Sequence, residues 1–150
     1  MEIKYIEYGS KDYKDSVELR IAVLRRPWNR DMNDEERAFE KEGAPIIGAF
    51  DDGKIAGVGV LDFIDKKKIE IKYMAVYDNY RGKGVGKAIM DEIENYCRRE
   101  GYQKIVLEAR TNILPFYEKR GYVVKGEAYI PSFVDIEHIH MEKDIDVNRD

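Results

Sequence analysis

The chain is read as an α/β (α+β) protein with a mixed, mostly antiparallel central sheet and helices on both faces, in a single domain over residues 1–150. Three observations predict this. Short apolar stretches rich in Ile, Val and Tyr recur between turn residues, as strands do. Two longer stretches carry apolar residues at spacings of three and four, as amphipathic helices do. Asp51-Asp52-Gly53 separates two of the strand-like runs, and Asp-Gly supplies the positive φ angles of a tight hairpin. Strands met mostly through short turns pair antiparallel, whereas helices between strands must pack on the sheet faces.

Taken in order, Ile3, Tyr5 and Tyr8 mark a first strand closed by Gly9-Ser10. Tyr13, Val17, Arg20, Ile21 and Leu24 predict a helix that ends before Pro27, since proline cannot continue it. Residues 28–44 are polar and acidic, with a short helix expected over Asp34 to Lys41. Ile46–Phe50 and Ile55–Ile64 form the hairpin, Lys66-Lys67-Lys68 makes a turn, and Ile69–Tyr77 is a further strand. Val85, Ile89, Ile93, Tyr96 and Cys97 stripe a second helix, closed by Gly101 in the position of a C′ glycine. Lys104–Ala109 is a strand, and Asn112–Arg120 is a short helix whose Pro115 is tolerated only in the first turn. Strands near Tyr122–Lys125 and Phe133–Glu142 complete the sheet.

Composition narrows the function. The 150 residues include 26 basic and 30 acidic side chains, for a formal charge of −4. That balance argues against a phosphate-backbone binder, so no nucleic-acid partner is expected. Lys66-Lys67-Lys68 is too short a basic run to change this, because lysines in a hairpin turn serve to solvate it. No apolar run approaches the roughly 20 residues that span a bilayer, and Met1–Ser10 carries acids unlike a targeting peptide. A cytoplasmic protein with no membrane partner is expected. Cys97 is the one cysteine, which excludes an internal disulfide, and its place on the apolar helix stripe makes it a core residue. His138 and His140 share a strand face, but two imidazoles without a third ligand give no basis for a metal.

The strongest chemical signal is Tyr80-Arg81-Gly82-Lys83-Gly84-Val85-Gly86-Lys87, placed between a strand and a helix. Glycines at alternate positions let the backbone turn its amides to a ligand, and the helix start adds free N–H groups and the positive dipole end. Arg81, Lys83 and Lys87 add cations, with no acid between Asn79 and Met90. A phosphate or pyrophosphate cradle follows. Two nucleotide motifs fail. A Rossmann fingerprint starting at Gly82 needs glycine where Lys87 stands. A P-loop ending at Gly86-Lys87 needs glycine at position 81 and Ser or Thr at 88, held here by Arg81 and Ala88.

Arg81-Gly82-Lys83-Gly84-Val85-Gly86 resembles the Arg/Gln-x-x-Gly-x-Gly/Ala signature of the GNAT superfamily of acyl-CoA-dependent N-acetyltransferases. Tyr73-Met74-Ala75-Val76 is similar to the family's pantetheine-pairing strand, and Phe116-Tyr117-Glu118-Lys119-Arg120-Gly121-Tyr122 to its Leu/Phe-Tyr-Glu-Lys-x-Gly-Phe segment. Leu24-Arg25-Arg26-Pro27 and His138–Lys143 resemble a bacterial and archaeal branch. The resemblance covers nearly the whole chain and implies a GNAT-like fold, acetyl-CoA (coenzyme A) as cosubstrate, and direct attack of an amine on the thioester. It implies that amides near Gly82, Gly84, Gly86 and Lys87 hold the pyrophosphate, with Arg81, Lys83 and Val85 in the same loop. It implies that backbone groups of Met74 and Val76 hold the pantetheine, and that an amide near Ala75 or Val76 holds the oxyanion.

The same resemblance makes Tyr117 the acid that protonates the leaving thiolate, against a tyrosine that only packs. It makes Glu70 the candidate base, against a carboxylate merely paired with Lys68 or Lys72; Glu137, His138 or water are the fallbacks. Asn112 stands two residues away from the family's cofactor-contacting asparagine, a position held by Arg110, so Asn112 is either that contact or a helix cap. Arg110 could meet a phosphate of the cosubstrate instead. The acceptor is a small-molecule or peptide amine, approached past Trp28, Asn29, Arg30, Asp34, Glu35, Glu36, Glu40, Asp135 and Glu137, unless those acids are a solvated face. A homodimer is in keeping with relatives. The rival reading is a non-catalytic acyl-CoA-binding sensor or scaffold.

Overall fold

A computed structural model describes residues 1–145. Its seven strands are β1 (Glu2–Tyr5), β2 (Ile46–Asp51), β3 (Lys54–Phe63), β4 (Lys68–Val76), β5 (Lys104–Arg110), β6 (Val123–Val124) and β7 (His138–Asp144). They form one sheet in the order β1-β2-β3-β4-β5-β7-β6, in which only β4 and β5 run parallel. The predicted mixed, mostly antiparallel sheet is therefore present. The single parallel pair arises because β4 reaches β5 through a helix, and a crossover is what parallel strands require.

Helix α1 (Lys11–Leu24) covers one face, and helices α2 (Val85–Arg99) and α3 (Leu114–Glu118) cover the other. The Ser10 side chain caps α1 by accepting from the Tyr13 amide at 3.1 Å. Beneath α1 lie Ile46, Val58, Val60, Tyr73 and Ala75; beneath α2 lie Ile47, Ala49, Leu61, Ile69, Ile71, Ile105 and Leu107. The alternation read from sequence is thus a division between two cores. Helix α2 lies directly on β3, because a Cβ at Gly57 or Gly59 would stand 2.8–2.9 Å from Val85, Ile89 or Ile93. Cys97 is wholly buried in this core, and burial pushes its thiol up to about 12. No helix among the described residues is long and apolar enough to cross a membrane.

Five boundaries differ from the expected ones. The first strand stops at Tyr5, short of Tyr8, and the helix expected over Asn112–Arg120 is a 3-10 turn at Thr111–Ile113 followed by α3. The helix expected over Asp34–Lys41 is a 3-10 helix at Ala38–Glu42, closed by Gly43 at φ 91°. Its anchor is one buried ion pair, in which Arg20 of α1 donates twice to Glu40, at 2.7 and 3.0 Å. The last strand begins at His138 rather than Phe133, since residues 133–137 bend across the α1 face and the ladder is taken up by a Tyr129–His138 bridge. The strand expected at Tyr122–Lys125 keeps only Val123–Val124. Tyr122 instead enters the core, where its hydroxyl donates to Glu94 at 2.9 Å.

Candidate active site

The parallel pairing of β4 and β5 stops early. Lys68 to Ile71 match Lys104 to Leu107, and beyond them the two strands are no longer paired. The cause lies on the other side of β4. Leu61 faces Ile71 and Val60 faces Tyr73, so Lys72 is an extra residue. Such a bulge bends its strand and raises its twist. A bulge one residue past the last β4–β5 pair therefore carries β4 away from β5 and opens a wedge.

Alternation decides which backbone groups face that wedge. The Tyr77 amide donates to the Ala56 carbonyl at 3.0 Å, which fixes the hydrogen-bonded register with β3. Ala75 opposite Val58 shares this parity, so its N–H and C=O point to β3. The groups of Met74 and Val76 point the other way, into the wedge. Of the two amides considered for an oxyanion, only that of Val76 is so placed; Ala75 contributes a buried methyl to the α1 core.

The glycine loop meets the same wedge from the α2 face. Gly82 and Gly84 take φ of 75° and 81°, a region that side chains avoid, and Gly84 is the cap residue of α2. No side chain caps this helix and no acid lies in its first turn. The amides of Val85, Gly86 and Lys87 consequently lack intrahelical acceptors, since the first such bond is Ala88 to Gly84. Val85 buries its side chain against β3, so only its backbone is available. At Gly86 a Cβ would stand 3.3 Å from Phe116 and 3.7 Å from Met74, so glycine keeps the helix start against β4 and α3. Arg81, Lys83 and Lys87 are exposed around the loop; Arg81 pairs loosely with Asp78 and Lys87 with Asp91.

A cavity of about 330 Å³ opens from the wedge on the α1 face, lined by both strands, the end of α1 and segment 129–138. Tyr117 enters it from α3, is 4% exposed, and its hydroxyl has no hydrogen-bond partner among the described residues. Burial raises its pKa, so the phenol holds its proton. Glu70 lines the cavity from β4 and makes no ion pair within 4.0 Å, with Lys68, Lys72 or any other described residue. Burial raises its pKa; Lys72 opposes this, while Glu108 and Asp62 add to it.

The remaining candidates separate. His138 lines the cavity, with Nδ1 at 2.8 Å from the Ile136 carbonyl, and burial lowers its pKa. Glu137 is exposed and accepts from the Thr111 hydroxyl at 3.0 Å. Asn112 is exposed in the 3-10 turn Thr111–Ile113 and caps neither that turn nor α3. Arg110 instead reaches across the α1 face, donating to the Leu24 carbonyl at 2.7 Å and lying 4.4 Å from the Trp28 ring. Of the acids thought to line the approach, Glu40 is fully buried against Arg20, Glu36 pairs with Arg25, Asp34 with Arg37, and Asp135 with Arg30.

Sequence reasoning missed Tyr129, Phe133 and Glu108. Tyr129 donates to Glu108 at 2.6 Å, Phe133 stacks 4.6 Å from the Arg25 guanidinium, and His140 bridges Glu108 and Glu142. Glu108 was legible as the one charge inside the apolar run Ile105–Ala109, whereas the loop residues carry no periodic signal.

A parallel pair splayed beside a cationic glycine loop offers a place for a phosphorylated cosubstrate, and likeness to known proteins gives the class, an acetyl-CoA-dependent N-acetyltransferase. The chain belongs to the GNAT acetyltransferase family, whose model matches residues 13–122. It is 30% identical over 141 residues to the uncharacterized N-acetyltransferase YjcF of Bacillus subtilis strain 168, covering 93% of this chain and 97% of that protein. An aminoglycoside 6'-N-acetyltransferase complexed with coenzyme A matches in fold with a TM-score of 0.80 at 16% identity, over 100% of both chains. A GNAT family acetyltransferase from Elizabethkingia anophelis with acetyl-CoA bound matches with a TM-score of 0.73 at 18% identity, over 96% of this chain and 97% of that one.

Proposed function

We propose that the chain moves the acetyl group of acetyl-CoA to a primary amine in one direct step within the β4–β5 wedge. The observation that carries this reading is the meeting of three features there: backbone groups of one strand facing the wedge, a cationic helix start, and a buried phenol with no hydrogen-bond partner among the described residues. The amides of Val85, Gly86 and Lys87 fit a pyrophosphate, with Arg81, Lys83 and Lys87 adding charge. Met74 and Val76 offer the wedge edge of β4 to the pantetheine amides as a neighbouring strand would.

The chemistry then needs three proton and charge tasks. Glu70, raised by burial, takes a proton from the ammonium through water and leaves a nucleophilic amine. The Val76 amide donates to the carbonyl oxygen as it gains charge. The C–N bond forms as the C–S bond breaks, the nitrogen sheds its second proton to water in the cavity, and Tyr117 gives its proton to the departing thiolate. The phenol recovers a proton from solvent through the cavity. No enzyme nucleophile takes part, in keeping with Cys97 being buried and protonated.

The test is Tyr117→Phe. General acids contribute about a hundredfold or more, so kcat should fall by about that factor across the neutral range, burial having moved the phenol's own titration above it. An unchanged rate and profile would remove Tyr117 from the acid role.

A further inference from the structure

Two half-buried charges of opposite sign stand in the cavity wall without an ion-pair partner among the described residues. Glu70 on β4 is one. Arg110 on β5 is the other, using one Nη2–H on the Leu24 carbonyl and facing no carboxylate. Two neighbours are already paired: Arg25 donates to both oxygens of Glu36 at 3.1 and 3.2 Å, leaving only its Nε without a partner among the described residues, and Glu108 is held by Tyr129 and His140. Lys72, the other cation of the wall, is exposed to solvent. Burial lowers Arg110 to about 10, and the like charges of Arg25 and Arg81 act in the same direction. An unpaired charge out of water is costly, so both groups are poised for partners that a ligand brings.

Both stand on the same side of the sheet. Ile105, Leu107 and Ala109 alternate with Val106, Glu108 and Arg110, and the first three pack in the α2 core. Ile69 and Ile71, which flank Glu70, pack there too. Glu70 and Arg110 therefore project to the α1 face, opposite the glycine loop that begins α2. Glu70 is in register with Val106, four residues before Arg110. At roughly 3.3 Å per residue that is about 13 Å between backbones. Both side chains line the one cavity, so a single bound molecule can meet the two charges at its two ends.

We infer that the acceptor is a small amino-carboxylate, with its primary amine directed toward Glu70 and its carboxylate held by the Arg110 guanidinium several bonds away. The inference rests on the acetyl-transfer reading and adds the substrate class. Guanidinium and carboxylate form charge-assisted, often two-pronged hydrogen bonds. The aromatic side chains of Tyr129 and Phe133 in the cavity wall suit the methylenes between the two charges, while the Trp28 ring backs the Arg110 guanidinium.

CoA release with 4-aminobutyrate, butylamine, 1,4-diaminobutane and glycine tests it. The expected kcat/KM for 4-aminobutyrate exceeds those for butylamine and the diamine by about tenfold or more, with glycine too short to reach. In Arg110→Gln that preference should collapse to within about twofold, and Arg110→Lys should restore part of it. Equal rates for 4-aminobutyrate and butylamine, or a preferred diamine, overturn the inference while leaving acetyl transfer intact. A higher KM for acetyl-CoA in Arg110→Gln with the preference kept assigns the guanidinium to the cosubstrate and also overturns it. Should Arg110→Gln not fold, the wild-type comparison alone decides. Silence with every amine would remove the acetyl-transfer reading and this one together.

Discussion

Tyr117 separates a catalytic from a packing role by what its removal should cost. The ring packs between Phe116 and Tyr122, but the hydroxyl bonds to nothing among the described residues. Tyr117→Phe should hence leave stability within about 1 kcal/mol while kcat falls, and thermal melting beside the rate assay reads both. Glu70 carries a pH prediction. A base works only when deprotonated, and burial has raised this carboxyl, so the acid limb of kcat/KM should lie above the ordinary carboxylate range. In Glu70→Gln that limb should vanish; a limb unmoved by the substitution would assign the proton to another group. Both residues were legible from their places in motifs. The absence of partners around them was not, because it depends on where Lys68, Lys72 and the end of α1 come to lie.

At the scale of elements, the wedge depends on two features of neighbouring strands. The Lys72 bulge parts β4 from β5, and Gly57 and Gly59 let α2 settle on β3 so that its start reaches the wedge. Gly57→Ala would set a methyl 2.8 Å from Val85 and 3.2 Å from the Ala75 carbonyl. Overpacking of this kind costs about 1–3 kcal/mol, and lifting the helix start should raise the KM for acetyl-CoA. Urea denaturation and a cosubstrate titration measure the two effects; a variant with neither would mean that α2 is not positioned by this contact. The hairpin, α2 and the glycine loop were readable because they follow local rules: Asp-Gly turns, helical spacing, glycine at a helix start. The bulge was not, since two strands fall out of step only when both registers are known. Residues 133–137 were misread as strand because Val134 and Ile136 mimic alternation, whereas the segment bends and turns Phe133 into the cavity wall.

Across the whole molecule, the Arg20–Glu40 pair ties the polar segment 28–44 to α1 and so holds the cavity roof. Both side chains are fully buried, and Arg20 also lies 5.2 Å from the Tyr73 ring. Removing one member strands the other charge, at a cost of about 3–5 kcal/mol. Glu40→Gln should show this loss in urea denaturation, and a loss below about 1 kcal/mol would mean that the pair contributes no more than a surface one. The succession of elements along the chain, and a mixed sheet with helices on both faces, followed from sequence because strand and helix periods differ. This ion pair did not, since Glu40 stands in an acidic run that reads as solvated.

Amine-dependent release of CoA tests acetyl transfer in the wedge most directly. Purified protein with acetyl-CoA and a primary amine should release CoA one for one with an amine heavier by an acetyl group, and Tyr117→Phe should slow both together. Tight binding of acetyl-CoA with no amine-dependent release would contradict it and leave the fold as a holder of acyl-CoA.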